Sequence, residues 1–314
     1  MKTTAKEDVL TRDTDPYVKE KLHLFSNTLE EIINFGTHLL TADIQKKRSG
    51  KDNFIPTLFF RNILDIADSI SILIKESASD PAKIQLRSLL ESCLNLTYMI
   101  EEKEKRRGLS YMVWKANKDI KYYNQFLSKE QSSKELIKKV ENDDLNLNLE
   151  QFHDHQEVLK AKASKKILLQ KAEFNDIQFE YLRTKKKFNR RKFNWYSMYD
   201  GPINVEKLAK HLKQSSQYEF FYRKYSDNVH GTDLMKGLAR SGKGYGQLIQ
   251  LRDFEHPQEV TTDTISMLLS IYNQFTSKRI PEFKSEFRNW YFNFQEMYNT
   301  ITGEKHINYK KHID

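Results

Sequence analysis

A short segment around residue 225 carries residue types that act on phosphate esters. Arg223 and His230 are seven residues apart, so on an α-helix they return to nearly the same face two turns apart. Ser226 and Asp227 lie between them, four and three residues before the histidine. A histidine that titrates near neutral pH can move a proton, and an arginine can hold phosphate oxygens. Taken alone, however, the spacing favours a histidine that only caps the helix or is satisfied in the core.

A second group of polar residues lies on the most apolar helix that the sequence predicts, residues 82–107. Arg87, Glu91 and Asn95 are spaced four residues apart and therefore stack along one face of it. Burying charges is unfavourable unless they are paired and hydrogen-bonded, so these side chains must meet each other or polar partners elsewhere. Two interpretations stay open: a buried pair that fixes the register of the helix, or part of a functional site.

These two segments carry a resemblance to known proteins. Arg87–Tyr98 and Tyr222–Gly231 resemble an uncharacterised family of bacterial helical proteins, a domain of unknown function with an Arg-x-x-x-Glu helix and a later Ser-x-x-x-His-Gly ending. The similarity covers about residues 55–250. More distantly, Arg223 and His230, with six residues between them, resemble the motif of the HEPN ribonucleases.

The resemblance to HEPN ribonucleases implies a helical, often dimeric protein that cuts RNA without a metal ion and acts in toxin–antitoxin or phage-defence systems. It implies that His230 acts as acid or base on the ribose 2′-hydroxyl and the leaving oxygen, while Arg223 steadies the phosphate. The expected supporting polar network consists of Arg87, Glu91, Asn95, Ser226 and Asp227.

The positive charge of the chain is regional. The formal net charge is +9, and residues 101–192 account for most of it with 23 basic and 15 acidic side chains. Aromatic residues are interleaved with this charge or follow it, at Phe188, Phe193, Trp195 and Tyr196. Such a tract can follow a nucleic-acid backbone and stack bases, or it can be a solvated arm whose aromatic rings pack back on the protein. The candidate nucleic-acid-binding residues are Arg183, Lys185, Lys186, Lys187, Arg190, Arg191 and Lys192.

The periodicity of apolar residues predicts an all-α protein, a helical bundle with a charged helical arm or insertion and a glycine-rich loop. Residues 1–127 and 193–314 are expected to form two parts of the same bundle, with the arm at 128–192. Residues 231–246 hold five of the ten glycines and are therefore expected to be a loop, followed by an extended piece at 247–252. The expected helices are 17–45, 56–73, 82–107, 109–127, 204–213, 215–230, 261–278 and 282–301.

Composition excludes several classes of protein. Glycine and proline, at 10 and 6 residues of 314, are scarce, which disfavours a β-sandwich, a collagen-like chain and a glycine-rich linker. The single cysteine, Cys93, excludes an internal disulfide framework and a cysteine-rich zinc site. No apolar run approaches the length of a membrane span, and the polar N-terminus does not resemble a secretory signal. We therefore expect a cytoplasmic protein without a membrane partner, and neither a cofactor nor a metal site is expected.

Two hypotheses of different classes remain. In the first, the chain is a HEPN-like ribonuclease or toxin component that draws in RNA through its basic arm and acts as a homodimer. In the second, it is a non-catalytic helical module that binds a protein or nucleic-acid partner through the arm. Exposure distinguishes them, because a nuclease needs Arg223 and His230 open to solvent, whereas a structural network needs them buried and bonded to each other.

Overall fold

The structure, a computed structural model, describes residues 3–7, 9–11, 15–48, 50, 53–143, 153–189, 191–226, 235–240, 246–252, 254 and 256–303. The chain divides into two compact units, one formed by residues 1–102 and 205–314 and the other by residues 103–204. The prediction of an all-α bundle is confirmed, with one short pair of strands in the described part of the chain. The first unit contains α1 (Pro16–Gln45), α2 (Phe54–Lys75), α3 (Ser79–Glu101), α8 (Val205–His211), α9 (Ser215–Gln217), β1 (Leu238–Arg240), β2 (Gly246–Leu248), α10 (Pro257–Lys278) and α11 (Lys284–Gly303).

The first unit is built around a bundle of four long helices. Helix α1 packs on α2 and α10, and α3 packs on the same two helices. Aromatic rings fill the centre, where Phe60 of α2 stacks on Phe275 of α10 with ring centroids 4.1 Å apart. Helix α11 covers the outside of α1 and α10. The two strands pair antiparallel, with Leu238 opposite Leu248.

Helices α1 and α10 approach closely at Gly36. The fully buried Tyr272 donates a hydrogen bond to the carbonyl oxygen of Ile32, at 3.0 Å, across this contact. A Cβ atom at position 36 would lie 2.5 Å from Leu64 Cδ2 and 2.8 Å from Tyr272 Cζ, which is inside van der Waals contact. The glycine is therefore needed for close packing, since its own helix would be more stable with alanine there.

A buried ion cluster ties the ends of three helices together. Asp43, near the end of α1, accepts hydrogen bonds from Arg279 Nε at 3.2 Å and Arg279 Nη2 at 3.1 Å, just after α10. Arg48 Nη1 and the hydroxyl of Thr57 on α2 each lie 2.6 Å from the same carboxylate. Asp43 and Arg279 are only 2% and 4% exposed, so both charges depend on each other for compensation.

The second unit is formed by α4 (Glu104–Tyr123), α5 (Gln131–Asn142), α6 (Gln156–Leu169) and α7 (Asn175–Lys187), together with three short 3₁₀ turns among its described residues. Its core contains Val113, Phe174, Ile177 and Met198. Within the predicted arm, Phe174 and Ile177 are buried in that core, whereas Phe179 and Leu182 are 74% and 59% exposed. Residues 128–192, the predicted arm, all lie within this unit.

Three details differ from the sequence-based expectations. The helix expected at 82–107 starts at Ser79, and Asp80 in its first turn pairs with Lys83. It ends at Glu101, because Glu102 is extended and Lys103 adopts the left-handed conformation (φ 53°) before α4 begins. Within the helix expected at 215–230, Ser215–Gln217 are α-helical and Tyr218–Arg223 form a π-helix.

Candidate functional site

A half-buried polar cluster joins α3 to the π-helix in the first unit. Arg87 Nη2 donates to the hydroxyl of Tyr222 at 2.5 Å, and its guanidinium carbon lies 4.1 Å from the centroid of that ring. Arg87 Nη1 lies 3.4 Å from Ser226 Oγ, and Arg87 Nε lies 3.7 Å from Glu91 Oε1. The arginine is thus held on three sides, by a carboxylate, a phenol and a hydroxyl.

Tyr222 lies beside both charges of this cluster. Burial raises the pKa of the Tyr222 hydroxyl, the hydrogen bond from Arg87 lowers it, and the nearby carboxylate of Glu91 raises it. The phenol therefore stays protonated at neutral pH and accepts a hydrogen bond from the arginine.

The π-helix determines which side chains of residues 218–226 face α3. A π-helix has wider turns than an α-helix and often marks functional sites. Tyr218 and Tyr222 stack with centroids 4.8 Å apart, and Tyr222 then points to Arg87.

Arg223 lies away from the cluster. Its side chain is 59% exposed, and its Nε pairs with Glu219 Oε2 at 3.2 Å, one turn earlier. The guanidinium is 5.8 Å from the centroid of Tyr218. An exposed ion pair of this kind contributes little to stability, so the guanidinium can exchange its carboxylate for another anion at small cost.

The segment after the π-helix is anchored to α10. Tyr225 is 2% exposed and donates a hydrogen bond of 2.6 Å to Asp263 Oδ2. Lys224 pairs with Glu259, whose other oxygen lies 3.3 Å from His256 Nδ1. Hydrogen bonds from His256 and Lys224 lower the pKa of Glu259 to about 2 despite partial burial, whereas burial raises the pKa of Asp263. These contacts fix the chain directly before residue 227.

The sequence-predicted site residues are therefore only partly brought together. Arg87, Glu91 and Ser226 lie in one cluster, whereas the side chain of Asn95 bonds to the carbonyl oxygen of Glu91 on its own helix, at 2.7 Å. The remaining two predicted residues, Asp227 and His230, lie outside the described residues. The roles predicted for Asp227 and His230, and those predicted for the residues of the cluster, stay predictions.

The candidate nucleic-acid-binding residues of the second unit fall into two groups. Arg183 pairs with Glu180 at 2.6 Å and with Asp200 at 2.8 Å, and Lys187 pairs with Asp200 at 2.6 Å. These bonds lower the pKa of Asp200 to about 2. Arg190 lies outside the described residues. The exposed cations that form no ion pair with any described residue are Lys185, Lys186, Arg191 and Lys192.

The aromatic residues of the basic tract pack inside the second unit. Trp195 and Tyr196 are each 3% exposed, and Phe193 contacts both Tyr181 and Phe188, at 5.4 and 5.6 Å between centroids. The hypothesis that Trp195 and Tyr196 stack on bases is therefore wrong, because neither ring reaches solvent. The exposed cations of this tract can still attract a polyanion through their charge.

Four residues that hold this site together were not predicted from the sequence: Tyr222, Tyr225, Asp263 and Glu259. The only local signal was the spacing of Tyr218, Tyr222 and Tyr225, which follow one another at four and three residues, about one helical turn each. The partners on α10 are more than 30 residues away in sequence, and no spacing rule connects them to the π-helix.

Two other kinds of chemistry find little support in the described part of the chain. No group of three or more histidine, cysteine or acidic side chains is placed there to hold a metal ion. The single thiol, Cys93, is buried, and burial raises its pKa to about 12, so it is not a nucleophile at neutral pH.

None of the described helices combines the length and apolar character needed to cross a bilayer.

Residues 53–243 match DUF5677, a family of unknown function. This range contains α3, the π-helix and the whole second unit, and it makes up more than half of the chain. No curated protein and no solved structure matches the chain.

Proposed function

The chain belongs to the DUF5677 family, whose function is unknown, and we propose that it is a HEPN-like ribonuclease that cuts RNA without a metal ion in a toxin or phage-defence system. The observation that carries the proposal is the exposed guanidinium of Arg223, which lies outside the polar cluster in which Arg87 is already neutralised. A nuclease requires an arginine that is open to substrate, and a structural network does not.

In the proposed reaction, His230 removes the proton from the ribose 2′-hydroxyl. The 2′-oxygen then forms a bond to phosphorus, and the bond from phosphorus to the 5′-oxygen breaks. The leaving 5′-oxygen takes a proton back from the protonated histidine, so no oxidant or metal is needed. The products are a 2′,3′-cyclic phosphate and a free 5′-hydroxyl. Arg223 steadies the negative charge on the phosphate oxygens.

The Arg87 cluster supports this proposal as a positioning element. It holds Tyr222 directly before Arg223 and contacts Ser226 directly before residue 227. The anchor of Tyr225 on Asp263 fixes the same stretch from the other side. The described part of the proposed catalytic segment, up to Ser226, is thus bound to two long helices, α3 and α10, as precise catalysis requires.

The test is incubation of purified protein with mixed RNA, with and without a chelator, beside His230→Ala and Arg223→Ala. We expect cleavage that survives the chelator, gives 2′,3′-cyclic phosphate ends, and is lost in both variants. Arg61→Ala, an exposed arginine on α2, is the matched control and should cleave like wild type. Absence of cleavage, together with a large fall of the melting temperature in His230→Ala, would favour the structural hypothesis instead.

A second candidate function, a helical module that binds a nucleic-acid partner, is favoured by four exposed cations near the end of α7, Lys185, Lys186, Arg191 and Lys192, which form no ion pair with any described residue. Replacing Lys185, Lys186, Arg191 and Lys192 with glutamine should weaken RNA binding and lower the slope of log K against log salt by about 0.7 for each phosphate that the variant no longer neutralises. Binding is measured by fluorescence anisotropy in 50 to 300 mM salt. Unchanged binding at low salt would remove this surface from the proposal.

The charge-matched control replaces four exposed lysines of the first unit, Lys19, Lys75, Lys210 and Lys278. It lowers the net charge by the same amount, so a local binding surface predicts a much smaller effect. A module without catalytic activity would show the salt-dependent binding and no cleavage.

A further inference from the structure

Helix α11 borders two grooves of opposite chemical character. The groove between α1 and α11 has a volume of about 550 Å³, and its lining includes the carboxylates of Glu31 and Glu286. The groove between α10 and α11 has a volume of about 320 Å³, and its lining includes the cations Lys284 and Arg288. The second groove, called here the α10–α11 groove, is lined by Leu269, Asn273, Lys284, Phe287, Arg288 and Tyr291.

The spacing along both helices explains this lining. Lys284, Arg288 and Tyr291 follow one another at four and three residues, so they lie along one face of α11. Leu269 and Asn273 are four residues apart on α10 and form the opposite wall. Two cations, an amide and two aromatic rings therefore face one space.

No charge inside the groove balances the two cations. Lys284 and Arg288 are exposed, no carboxylate lines the groove, and neither cation pairs with any described residue. Like charges four residues apart on a helix repel each other and destabilise it slightly. An anion bound between them would remove this repulsion, and an arginine beside a lysine suits phosphate oxygens in particular.

The floor of the groove is aromatic and partly open. Phe287 and Tyr291 are half-buried, with ring centroids 6.4 Å apart and planes inclined by 35°. Half-buried Leu269 extends this apolar surface. Aromatic side chains that remain partly accessible stack with any nucleobase, since every base has a π-face. The volume is at the lower end of the range for small-molecule sites and suits a ligand of one nucleotide rather than a large cofactor.

We propose that the α10–α11 groove binds a nucleotide, with the base against Phe287 and Tyr291 and the phosphate between Lys284 and Arg288. The shared chemistry is a planar base joined to a phosphate, which is found both in a free mononucleotide and in one residue of a single-stranded RNA. No residue of the Arg87 cluster lines the groove, so the proposal does not depend on RNA cleavage.

The test measures binding of AMP, adenosine, ribose 5-phosphate and hexameric oligoadenylate to the full chain by calorimetry. We expect AMP to bind, and adenosine and ribose 5-phosphate to bind at least about tenfold more weakly, because each lacks one half of the recognition. Lys284→Gln combined with Arg288→Gln should weaken AMP binding at least about tenfold, and Tyr291→Leu should weaken it severalfold.

Lys75→Gln combined with Lys278→Gln is the matched control, because both lysines are exposed on the first unit and neither lines the groove. It should bind AMP within twofold of wild type. A hexamer that binds much more tightly than AMP identifies the ligand as a strand, and equal affinity identifies it as a free nucleotide. Calorimetry on Arg223→Ala separates this site from the proposed catalytic site, since that variant should bind AMP normally.

Three results would overturn the proposal. They are the absence of AMP binding below millimolar concentration, equal loss of binding in the groove variant and the control, and binding of ribose 5-phosphate or adenosine as tight as that of AMP. Loss of cleavage with AMP binding intact would contradict the proposed function alone. Far-ultraviolet circular dichroism establishes that each variant is folded, as expected for substitutions of exposed or half-buried side chains.

Discussion

Replacing Asp43 with asparagine should destabilise the first unit more than a single side-chain substitution usually does. The carboxylate accepts two hydrogen bonds from Arg279, one from Arg48 and one from Thr57, and it is 2% exposed. Asparagine has nearly the same shape, but it removes the charge and turns one acceptor into a donor that faces guanidinium groups. The buried Arg279 then loses the carboxylate of Asp43.

The magnitude follows from the cost of breaking a buried ion pair by removing one partner, which is about 3–5 kcal/mol. For a folded body of roughly 150–250 residues, 1 kcal/mol shifts the melting temperature by about 2–4 °C. Asp43→Asn should therefore melt about 6–20 °C below wild type. The assay is thermal unfolding followed by circular dichroism, with a urea titration of the same samples.

The matched control is Asp65→Asn, an exposed aspartate on α2 without an ion-pair partner among the described residues, which should melt within about 2 °C of wild type. In the double variant, adding Arg279→Met to Asp43→Asn should cost less than the sum of the two single changes, because the stranded arginine is removed. A melting temperature of Asp43→Asn equal to that of Asp65→Asn would refute the reasoning.

Two further predictions concern the same unit. Gly36→Ala should lower the urea midpoint despite the better helix propensity of alanine, because its Cβ would lie 2.5 Å from Leu64 Cδ2. The free energy of unfolding should fall by about 1–3 kcal/mol. The control is Gly303→Ala, whose Cβ would lie in open space and which should leave the midpoint unchanged. Glu259→Gln should melt below wild type above pH 4.5, and this difference should shrink as the pH falls towards 2. The reason is that the pKa of Glu259 is lowered from 4.5 to about 2 by His256 and Lys224, so its stabilising contribution is present above the unfolded-state pKa and lost below it. A Gly36→Ala variant more stable than wild type would contradict the first prediction. A difference in melting temperature between Glu259→Gln and wild type that stays constant from pH 7 to pH 2 would contradict the second.

The long helices were predictable because each follows a single periodic pattern. Helix α1 was expected at 17–45 and extends over Pro16–Gln45, since its apolar residues recur at helical spacing and polar residues follow it. The break at residues 102–103 was not predictable, because the charged residues on both sides of Lys103 are good helix formers. The extended conformation of Glu102 and the left-handed conformation of Lys103 separate α3 from α4.

The candidate site was predictable only where its members are close in sequence. The spacing of Arg87 and Glu91 placed them on one face, and they form a pair. Tyr222 is 135 residues from Arg87, and its role depends on a π-helix that a 3.6-residue period does not reveal. The basic tract shows the same limit, because the pairing of Arg183 and Lys187 depends on Asp200, which belongs to the following turn.

The division of the chain into two units has a consequence for the order in which the protein folds during synthesis. Residues 103–204 form a continuous unit, whereas the first unit consists of residues 1–102 and 205–314. The core of the first unit includes Phe275 and Tyr272 of α10, so it cannot close until that helix has left the ribosome. At about 5–20 residues per second, the 70 or so residues from 205 to 275 take roughly 4–14 s to synthesise. During that time the second unit can fold completely, while apolar faces of α1, α2 and α3 still wait for α10.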